Sequence, residues 1–329
     1  MTLRLDLLRS LTTSTPPEAW RMLIAQVLAI MSPPLTLADA PSEVTRRDRT
    51  VAALDLLLAG SGWDLWHVFD PAVERTASHL IRWWHEPYQA KALLILDGLS
   101  LRELPWLIQG AQHHGFTIHA TTACAAELPG ETNAFAQALG YTSRSQLQNN
   151  GGSHNDQLPG ARTESIDLPW RDGAALVDAT PNWVFWHHWP DVQLHRVAGA
   201  GQGLESLTRE VAAQLTSADF WDFVARLATG RRLVITSDHG YAATGLFSDA
   251  TGEAAALLKR TFRSGRSAAG ALDPGPFAPP VALQLDTPHG SYTLALGRWK
   301  WPSPGGYPTL AHGGLSLLEV LAPFVVLTK

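Results

Sequence analysis

Two apolar runs of strand length each end on an acidic residue close to a glycine. Residues 92–96 lead into Asp97, and residues 233–236 lead, after one serine, into Asp238 and His239. A continuous apolar run of this length predicts a strand buried on both faces in a parallel sheet. Open α/β sheets carry their chemistry at the carboxyl ends of such strands. We therefore predict an α/β fold with these three side chains at one edge of the sheet.

The rest of the chain alternates between strand and helix patterns. Helical stretches such as residues 204–227 separate the apolar runs, and this alternation is typical of a largely parallel sheet flanked by helices. Two later runs, at 281–285 and 292–296, predict a hairpin. The predicted strands of the sheet lie at 91–96, 116–121, 183–188 and 232–237.

The chain is long enough for one large α/β domain with an appended region. Residues 1–87 show apolar helical segments broken by prolines and glycines, so we predict an N-terminal helical region there and a catalytic α/β domain over residues 88–329. Four tryptophans of the first region are expected in its core or at its docking face. The Gly-, Ala- and Pro-rich stretch at about 245–280 is predicted to form a variable cap over the site.

Further metal-type ligands occur away from these two strands. Asp191 and His195 are four positions apart, a spacing that one helical turn places on one face, and His312 precedes two glycines. Together with the strand-end residues they make three carboxylates and three imidazoles, a donor mix that suits zinc or manganese better than calcium. The pair could also be an ordinary exposed helical pair, and the strand-end motif could be only a turn.

The order of these motifs resembles the alkaline phosphatase superfamily and, within it, the PglZ-domain family associated with bacterial BREX phage-defence loci. The resemblance covers roughly residues 88–329 and implies an alkaline-phosphatase-like core. The matching motifs are Asp97, Asp191-x-x-x-His195, Asp238-His239-Gly240 and His312-Gly313-Gly314. Members carry a nucleophilic Ser or Thr at a helix start between the first two motifs, and Thr132 in Pro129-Gly130-Glu131-Thr132 is similar to that element.

The resemblance also implies a ligand set and a mechanism. Two divalent ions, zinc or manganese, would activate Thr132 for attack on phosphorus, form a phosphothreonine and stabilise the leaving oxygen. The ligands implied for the first ion are Asp97, Thr132, Asp238 and His239. Those implied for the second ion are Asp191, His195 and His312.

Some of these residues have simpler alternative roles. Thr132 could be a helix N-cap, with water as the direct nucleophile, because threonine is common at that position. Other hydroxyls in the same part of the chain belong to Ser100, Thr121 and Thr122. After the last motif, Ser316 and Glu319 fit a capping box that opens the final helix.

The distribution of charge along the chain indicates which substrates the protein could bind. The net charge of −5 argues against a protein that binds nucleic acid over its whole surface, but two local segments are basic. One contains Lys259, Arg260, Arg263 and Arg266. The other interleaves Arg298 and Lys300 with Trp299 and Trp301. A base stacked on an exposed indole gains roughly 1–3 kcal/mol, so we predict that Arg298, Trp299 and Lys300 bind a nucleotide or oligonucleotide. The alternative is a solvated loop with its indoles packed inward.

The sequence thus predicts a two-metal-dependent phosphodiesterase or nuclease, with a role in phage defence and protein partners from that system. A phosphomonoesterase and a non-catalytic metal-binding interaction module remain alternatives. A single cysteine, Cys124, excludes an internal disulfide, and residues 1–17 lack the apolar core of a secretory signal. No apolar stretch reaches the roughly 18 residues of a spanning helix, so we expect a cytoplasmic protein without membrane contact.

Overall fold

The computed structural model describes residues 5–199, 202–303 and 306–329. Residues 1–4 of the predicted N-terminal region lie outside the described residues. None of the helices in the described part of the chain is both long and apolar enough to cross a bilayer.

A six-stranded sheet forms the centre of the protein. The strands of the chain are β1 (Lys91–Leu96), β2 (Thr117–Ala125), β3 (Arg162–Ile166), β4 (Trp183–His187), β5 (Arg232–Thr236), β6 (Ala242–Ala243), β7 (Ser267–Ala269), β8 (Ala282–Thr287), β9 (Gly290–Ala295), β10 (Leu310–Ala311) and β11 (Leu321–Thr328). The order in the central sheet is β2-β11-β5-β1-β4-β3. Strand β1 pairs in parallel with β4 and β5, and β11 runs antiparallel between β5 and β2. The prediction of an α/β fold with a largely parallel sheet is confirmed.

Helices cover both faces of this sheet. They are α1 (Leu5–Thr13), α2 (Pro16–Met31), α3 (Ala40–Gly60), α4 (Phe69–Ala72), α5 (Thr76–Trp84), α6 (Leu104–His113), α7 (Thr132–Ala138), α8 (Trp170–Leu176), α9 (Asp191–Val197), α10 (Leu204–Leu215), α11 (Ala218–Ala228), α12 (Gly252–Phe262) and α13 (Leu317–Val320). Alternate residues of β1 enter two different cores, Leu94 on one face and Leu93 on the other. Burial on both faces explains why the strand is apolar without interruption.

Two predicted elements differ in the structure. The helix expected over residues 204–227 is two helices, α10 and α11, because the Ser217 hydroxyl accepts a hydrogen bond from the Phe220 amide (3.2 Å) and caps a new helix. The apolar stretch near the C-terminus contains only the one-turn helix α13 and then the antiparallel strand β11. Ser316 occupies the predicted N-cap position, but its hydroxyl donates to the Glu319 carboxylate (2.6 Å) instead of capping a backbone amide.

Residues 245–280, the predicted cap segment, contain α12 and β7. Strand β7 joins β9 and β8 in a small antiparallel sheet, which includes the predicted hairpin. A separate apolar cluster that includes Leu258, Phe262 and Trp301 packs α12 against this sheet. Arg266, in the same segment, is buried and forms an ion pair with Glu319 of α13 (2.6 Å), which ties the segment to the central domain. The division of the chain at residue 88 stays a prediction.

Candidate metal centre

Three neighbouring strands deliver the strand-end residues to one place. Strands β5, β1 and β4 are adjacent, and their carboxyl ends lead to Asp238, Asp97 and Asp191 respectively. The Gly98 amide donates to Asp238 Oδ1 (3.0 Å), and the Asp191 amide donates to the Asp97 carbonyl (2.9 Å). Gly98 has φ +71°, and a Cβ there would lie 3.1 Å from the Asp191 Cβ, so a glycine is needed for this approach.

Two overlapping groups of ligand atoms form at this edge. One group is Asp97, Asp191 and His239, and the other is Asp191, His195 and His312; within each group the ligand atoms lie within 4.8 Å of one another. Asp191 therefore belongs to both groups, whereas the resemblance assigned it to one ion only. Asp238 belongs to neither group, although its Oδ2 lies 3.5 Å from His239 Nε2.

Several of these ligand atoms are buried without a hydrogen-bond partner among the described residues. They are Asp191 Oδ1, Asp238 Oδ2 and His239 Nε2. Buried polar atoms are nearly always satisfied, and leaving one unmet costs about 1–3 kcal/mol or more when it is charged. Cations bound among these carboxylates and imidazoles would satisfy all three atoms. The donor set therefore fits divalent metal.

The imidazole tautomers fit the same interpretation. His239 Nδ1 contacts the Gly240 carbonyl (2.9 Å), and His312 Nδ1 contacts the Gly130 carbonyl (3.0 Å). Each carbonyl can only accept, so each Nδ1 carries a hydrogen and each Nε2 is left facing the carboxylates, where it can bind an ion once it is deprotonated. Metal-binding histidines usually make such a hydrogen bond through the nitrogen that does not bind the ion. The two rings stack with centroids 4.1 Å apart.

The crowded carboxylates and imidazoles shift one another's pKa values. Burial alone would lower the pKa of His239, but Asp238, Asp191 and Asp97 together raise it to about 9. Burial and then Asp238 raise the pKa of Asp97 well above its usual value. Burial opposes ionisation of Asp191, yet a hydrogen bond from His195 and the nearby imidazoles lower its pKa. A metal ion bound here would displace the His239 proton, so metal affinity would rise with pH up to about 9.

Thr132 lies beside this cluster. It is the first residue of α7, is half-buried, and its hydroxyl donates to Asp97 Oδ1 at 3.4 Å. The N-cap position of α7 is Glu131, so Thr132 is not the cap that the alternative requires. Of the competing hydroxyls, Ser100 is buried and accepts hydrogen bonds from Arg102, and Thr121 and Thr122 lie within β2.

Two residues at the site carry no signal in the sequence. Arg144 Nη1 forms an ion pair with Asp97 Oδ2, and Trp186 Nε1 donates to the same oxygen (3.2 Å). Both contacts hold Oδ2, so Oδ1 is left to face Thr132 and His239. Arg144 belongs to a short 3-10 helical segment 47 residues from Asp97, and nothing in its local pattern marks it as part of the site.

A cavity of about 770 Å³ opens over these groups. Its lining combines parts of the centre, the segment around Arg144 and the predicted cap segment. The lining residues that bear on function are Glu131, Thr132, Arg144, His195, Ser267 and His312. Ser267 donates to Glu131 (2.7 Å), so the cap segment contacts the residue next to Thr132.

The predicted substrate contacts Arg298, Trp299 and Lys300 are not among the residues that line this cavity. Arg298 is fully buried and pairs with Asp48 (2.8 Å) and Asp55 (2.6 Å) of α3, so its assignment as a substrate contact is wrong. Trp299 packs edge-on against Phe247. Lys300 forms an ion pair with Asp249.

We expect Arg298→Met to reduce the free energy of unfolding by about 3–5 kcal/mol, because it leaves buried Asp55 without its cation and removes one of the two guanidinium groups, those of Arg298 and Arg102, that pair with buried Asp48. Lys300→Met is the control, since it removes a partly exposed pair worth about 1 kcal/mol or less. Denaturant titration of both variants tests this. Equal, small losses would mean that Arg298 does not hold α3 to the domain.

The solved structures that are similar to the chain include two of murine ectonucleotide pyrophosphatase/phosphodiesterase 5. The first, an inactive variant in complex with AMP, is 12% identical, covers 73% of this chain and 88% of its own, and has a TM-score of 0.44. The second is 13% identical, covers 72% of this chain and 88% of its own, and has the same TM-score of 0.44. No family model and no curated protein matches the chain. Likeness at this level assigns the chain to no family.

Proposed function

We propose that the chain is a two-metal-dependent phosphoester hydrolase that prefers phosphodiesters and uses Thr132 as its nucleophile. The observation that carries the proposal is the convergence of three unsatisfied buried ligand atoms beside a half-buried hydroxyl, that of Thr132, which lines an open cavity. Carboxylates and imidazoles crowded in this way need cations, and a hydroxyl next to those cations is placed for attack on an electrophile.

Asp97, Asp191 and His239 would hold one ion, and Asp191, His195 and His312 the other, with Asp238 as a further ligand or support of the first. Divalent ions in these positions would lower the pKa of a hydroxyl nucleophile and neutralise charge on the phosphoryl oxygens. The oxygen and nitrogen donors favour zinc, with manganese as the alternative.

The protein's own groups would carry the reaction in two displacements. The Thr132 oxygen forms a bond to phosphorus while the bond from phosphorus to the first alcohol breaks, and that alcohol leaves with a proton. Water then displaces Thr132, which regains its hydroxyl and releases the phosphate product. Asp97 Oδ1, which accepts a hydrogen bond from Thr132, would orient the nucleophile.

Charge within the cavity supports a diester over a monoester. Arg144 lines the cavity, is 27% exposed, and has N–H groups beyond the one that contacts Asp97, so it can donate to a non-bridging phosphoryl oxygen. Glu131, exposed and adjacent to Thr132, places a carboxylate in the same cavity. Arg266 also lines the cavity, but its charge is balanced by Glu319. The guanidinium of Arg144 and the carboxylate of Glu131 suit the single charge of a diester better than the double charge of a monoester.

The sequence resemblance alone supports the finer parts of the proposal. These are membership of the PglZ-domain family and partners from a phage-defence system. The proposed substrate is a nucleotide or an oligonucleotide, and the basic segments of the sequence suggest it, not the resemblance.

The direct test is metal content together with a substrate panel. Protein loaded with zinc or manganese should hold up to two ions per chain by elemental analysis and should bind them more tightly at pH 9 than at pH 7. It should hydrolyse bis-nitrophenyl phosphate with a higher kcat/KM than nitrophenyl phosphate, and chelation should abolish both activities. Metal binding without any hydrolysis would favour the non-catalytic interaction module, and a preference for nitrophenyl phosphate would favour a phosphomonoesterase.

A further inference from the structure

A strongly basic surface borders the cavity. Residues 254–272 contain four cations and no carboxylate, although the whole chain has net charge −5. Arg266 is neutralised by its buried pair with Glu319, but Lys259, Arg260 and Arg263 at the C-terminal end of α12 are exposed. Among the described residues, no carboxylate lies within ion-pair distance of these three side chains, which we call the basic ridge.

The backbone beneath the basic ridge is fixed in place. Phe262 packs against Trp301 (ring centroids 5.8 Å apart), and Trp301 Nε1 donates to the Arg263 carbonyl (2.7 Å). Arg263 is the C-cap of α12, and its amide donates to the Lys259 carbonyl (3.0 Å), which holds its backbone one turn beyond Lys259. Three cations are therefore held near one another on an anchored segment.

The basic ridge continues directly into the cavity wall. Ser264 and Gly265, the two residues after Arg263, line the cavity, and so does Ser267, which contacts Glu131 next to Thr132. A phosphate bound at the ridge would thus lie along the path from the surface to Thr132. A single small phosphodiester inside the cavity would not reach the ridge, whereas a longer chain of phosphodiesters would contact both.

The cavity has no platform for a base. No aromatic ring other than histidine is among the lining residues that the structure describes. Strand binding without such stacking depends on the phosphates and is therefore strongly salt-dependent.

We propose that the basic ridge binds the phosphate backbone of a single-stranded oligonucleotide on one side of the bond that is cleaved. The inference rests on the proposed phosphoesterase function only in stating that the bound strand is cleaved. Binding of the strand to the basic ridge does not require hydrolysis. A single strand is favoured over a duplex because the half-buried Thr132 must be reached inside the cavity.

The test measures binding of a fluorescent oligothymidylate by anisotropy, with full-length metal-loaded protein carrying Thr132→Ala so that the strand is bound and not cut. Each phosphate contact on a single strand contributes a slope of about 0.7 in log affinity against log salt. Three contacts should weaken binding about twentyfold between about 50 and 200 mM salt. The triple variant Lys259→Gln, Arg260→Gln, Arg263→Gln should lose this portion of the salt dependence and bind at least about tenfold more weakly at the lower salt concentration.

The matched control changes net charge equally at three exposed arginines outside the cavity lining, with Arg49→Gln, Arg171→Gln and Arg209→Gln. It should bind like the parent. Equal loss in both triple variants would reduce the effect to net charge and overturn the inference, as would tighter binding of a duplex. Binding to anionic phospholipid vesicles that depends on the ridge, with oligonucleotide binding unchanged, would also overturn it in favour of a membrane surface.

A separate measurement distinguishes failure of this inference from failure of the proposed function. Hydrolysis of bis-nitrophenyl phosphate by protein with Thr132 intact should be unchanged by either triple substitution, because this small diester does not extend to the basic ridge. Hydrolysis without ridge-dependent strand binding would overturn the inference and leave the proposed function standing. Ridge-dependent strand binding without any hydrolysis would do the reverse.

Discussion

Replacing Thr132 by alanine should lower kcat for bis-nitrophenyl phosphate by roughly a thousandfold or more, the scale expected when a covalent nucleophile is removed. The only hydrogen bond of the hydroxyl among the described contacts is the 3.4 Å one to Asp97, and Glu131 occupies the cap position of α7. Stability should therefore change by less than about 1 kcal/mol, and bound metal should stay close to the parent level.

Thr132→Ser should keep part of the activity, because an oxygen remains beside Asp97. Thr121→Ala, which removes the same atoms from β2 outside the cavity lining, should keep all of it. Substantial turnover by Thr132→Ala would indicate direct attack by water. The stereochemistry of a chiral phosphorothioate diester decides independently, since two displacements retain configuration at phosphorus and a single displacement inverts it.

Asp191→Asn should impair both halves of the centre, because Asp191 is the residue that the two ligand groups share. We expect the affinity of this variant for each ion to fall by more than about a hundredfold. Replacing a residue that only hydrogen-bonds to a metal ligand already lowers metal affinity by up to about a hundredfold. Activity should fall at least as far. His195→Gln is the matched control: it belongs to one group only, so it should reduce the bound metal from two ions to one.

The metal-free proteins should differ in stability as well. The hydrogen bond from His195 and the nearby imidazoles hold the pKa of Asp191 below its usual value, so the fold favours the charged carboxylate, and metal-free Asp191→Asn should unfold at a lower temperature than metal-free wild type. Adding zinc should then raise the Tm of wild type and leave the variant nearly unchanged. A variant that binds two ions with wild-type affinity would show that Asp191 is not a shared ligand.

The strand-end residues could be predicted because their signal is local. A strand buried on both faces must be apolar throughout, so the polar residue that ends it stands out, as Asp97 does after β1 and Asp238 does after β5. Parallel strands then bring these ends to one edge without further information. The pair Asp191 and His195 was predicted from helical spacing and begins α9 as expected.

The sharing of Asp191 could not be predicted in this way. Spacing along the chain indicates which residues can share a face, but the distance from Asp191 to Asp97 and His239 depends on how β4 and its following turn pack beside β1. The close approach at Gly98 fixes that distance. The same holds for His312, whose ring stacks on His239 from a loop more than 70 residues later in the chain.

The sequence by itself determined the α/β class, the edge of the sheet that carries the chemistry, and the donor types that suit divalent metal. The tertiary structure decided which charged side chains lie at the site and which are buried in ion pairs elsewhere. Arg298 looks like an exposed cation beside indoles, but it is buried against Asp55, 243 residues earlier. Arg144 has no distinguishing pattern, but it contacts Asp97. An ion pair depends on the positions of both partners, and when the partners are far apart in the chain, only the packed fold sets those positions.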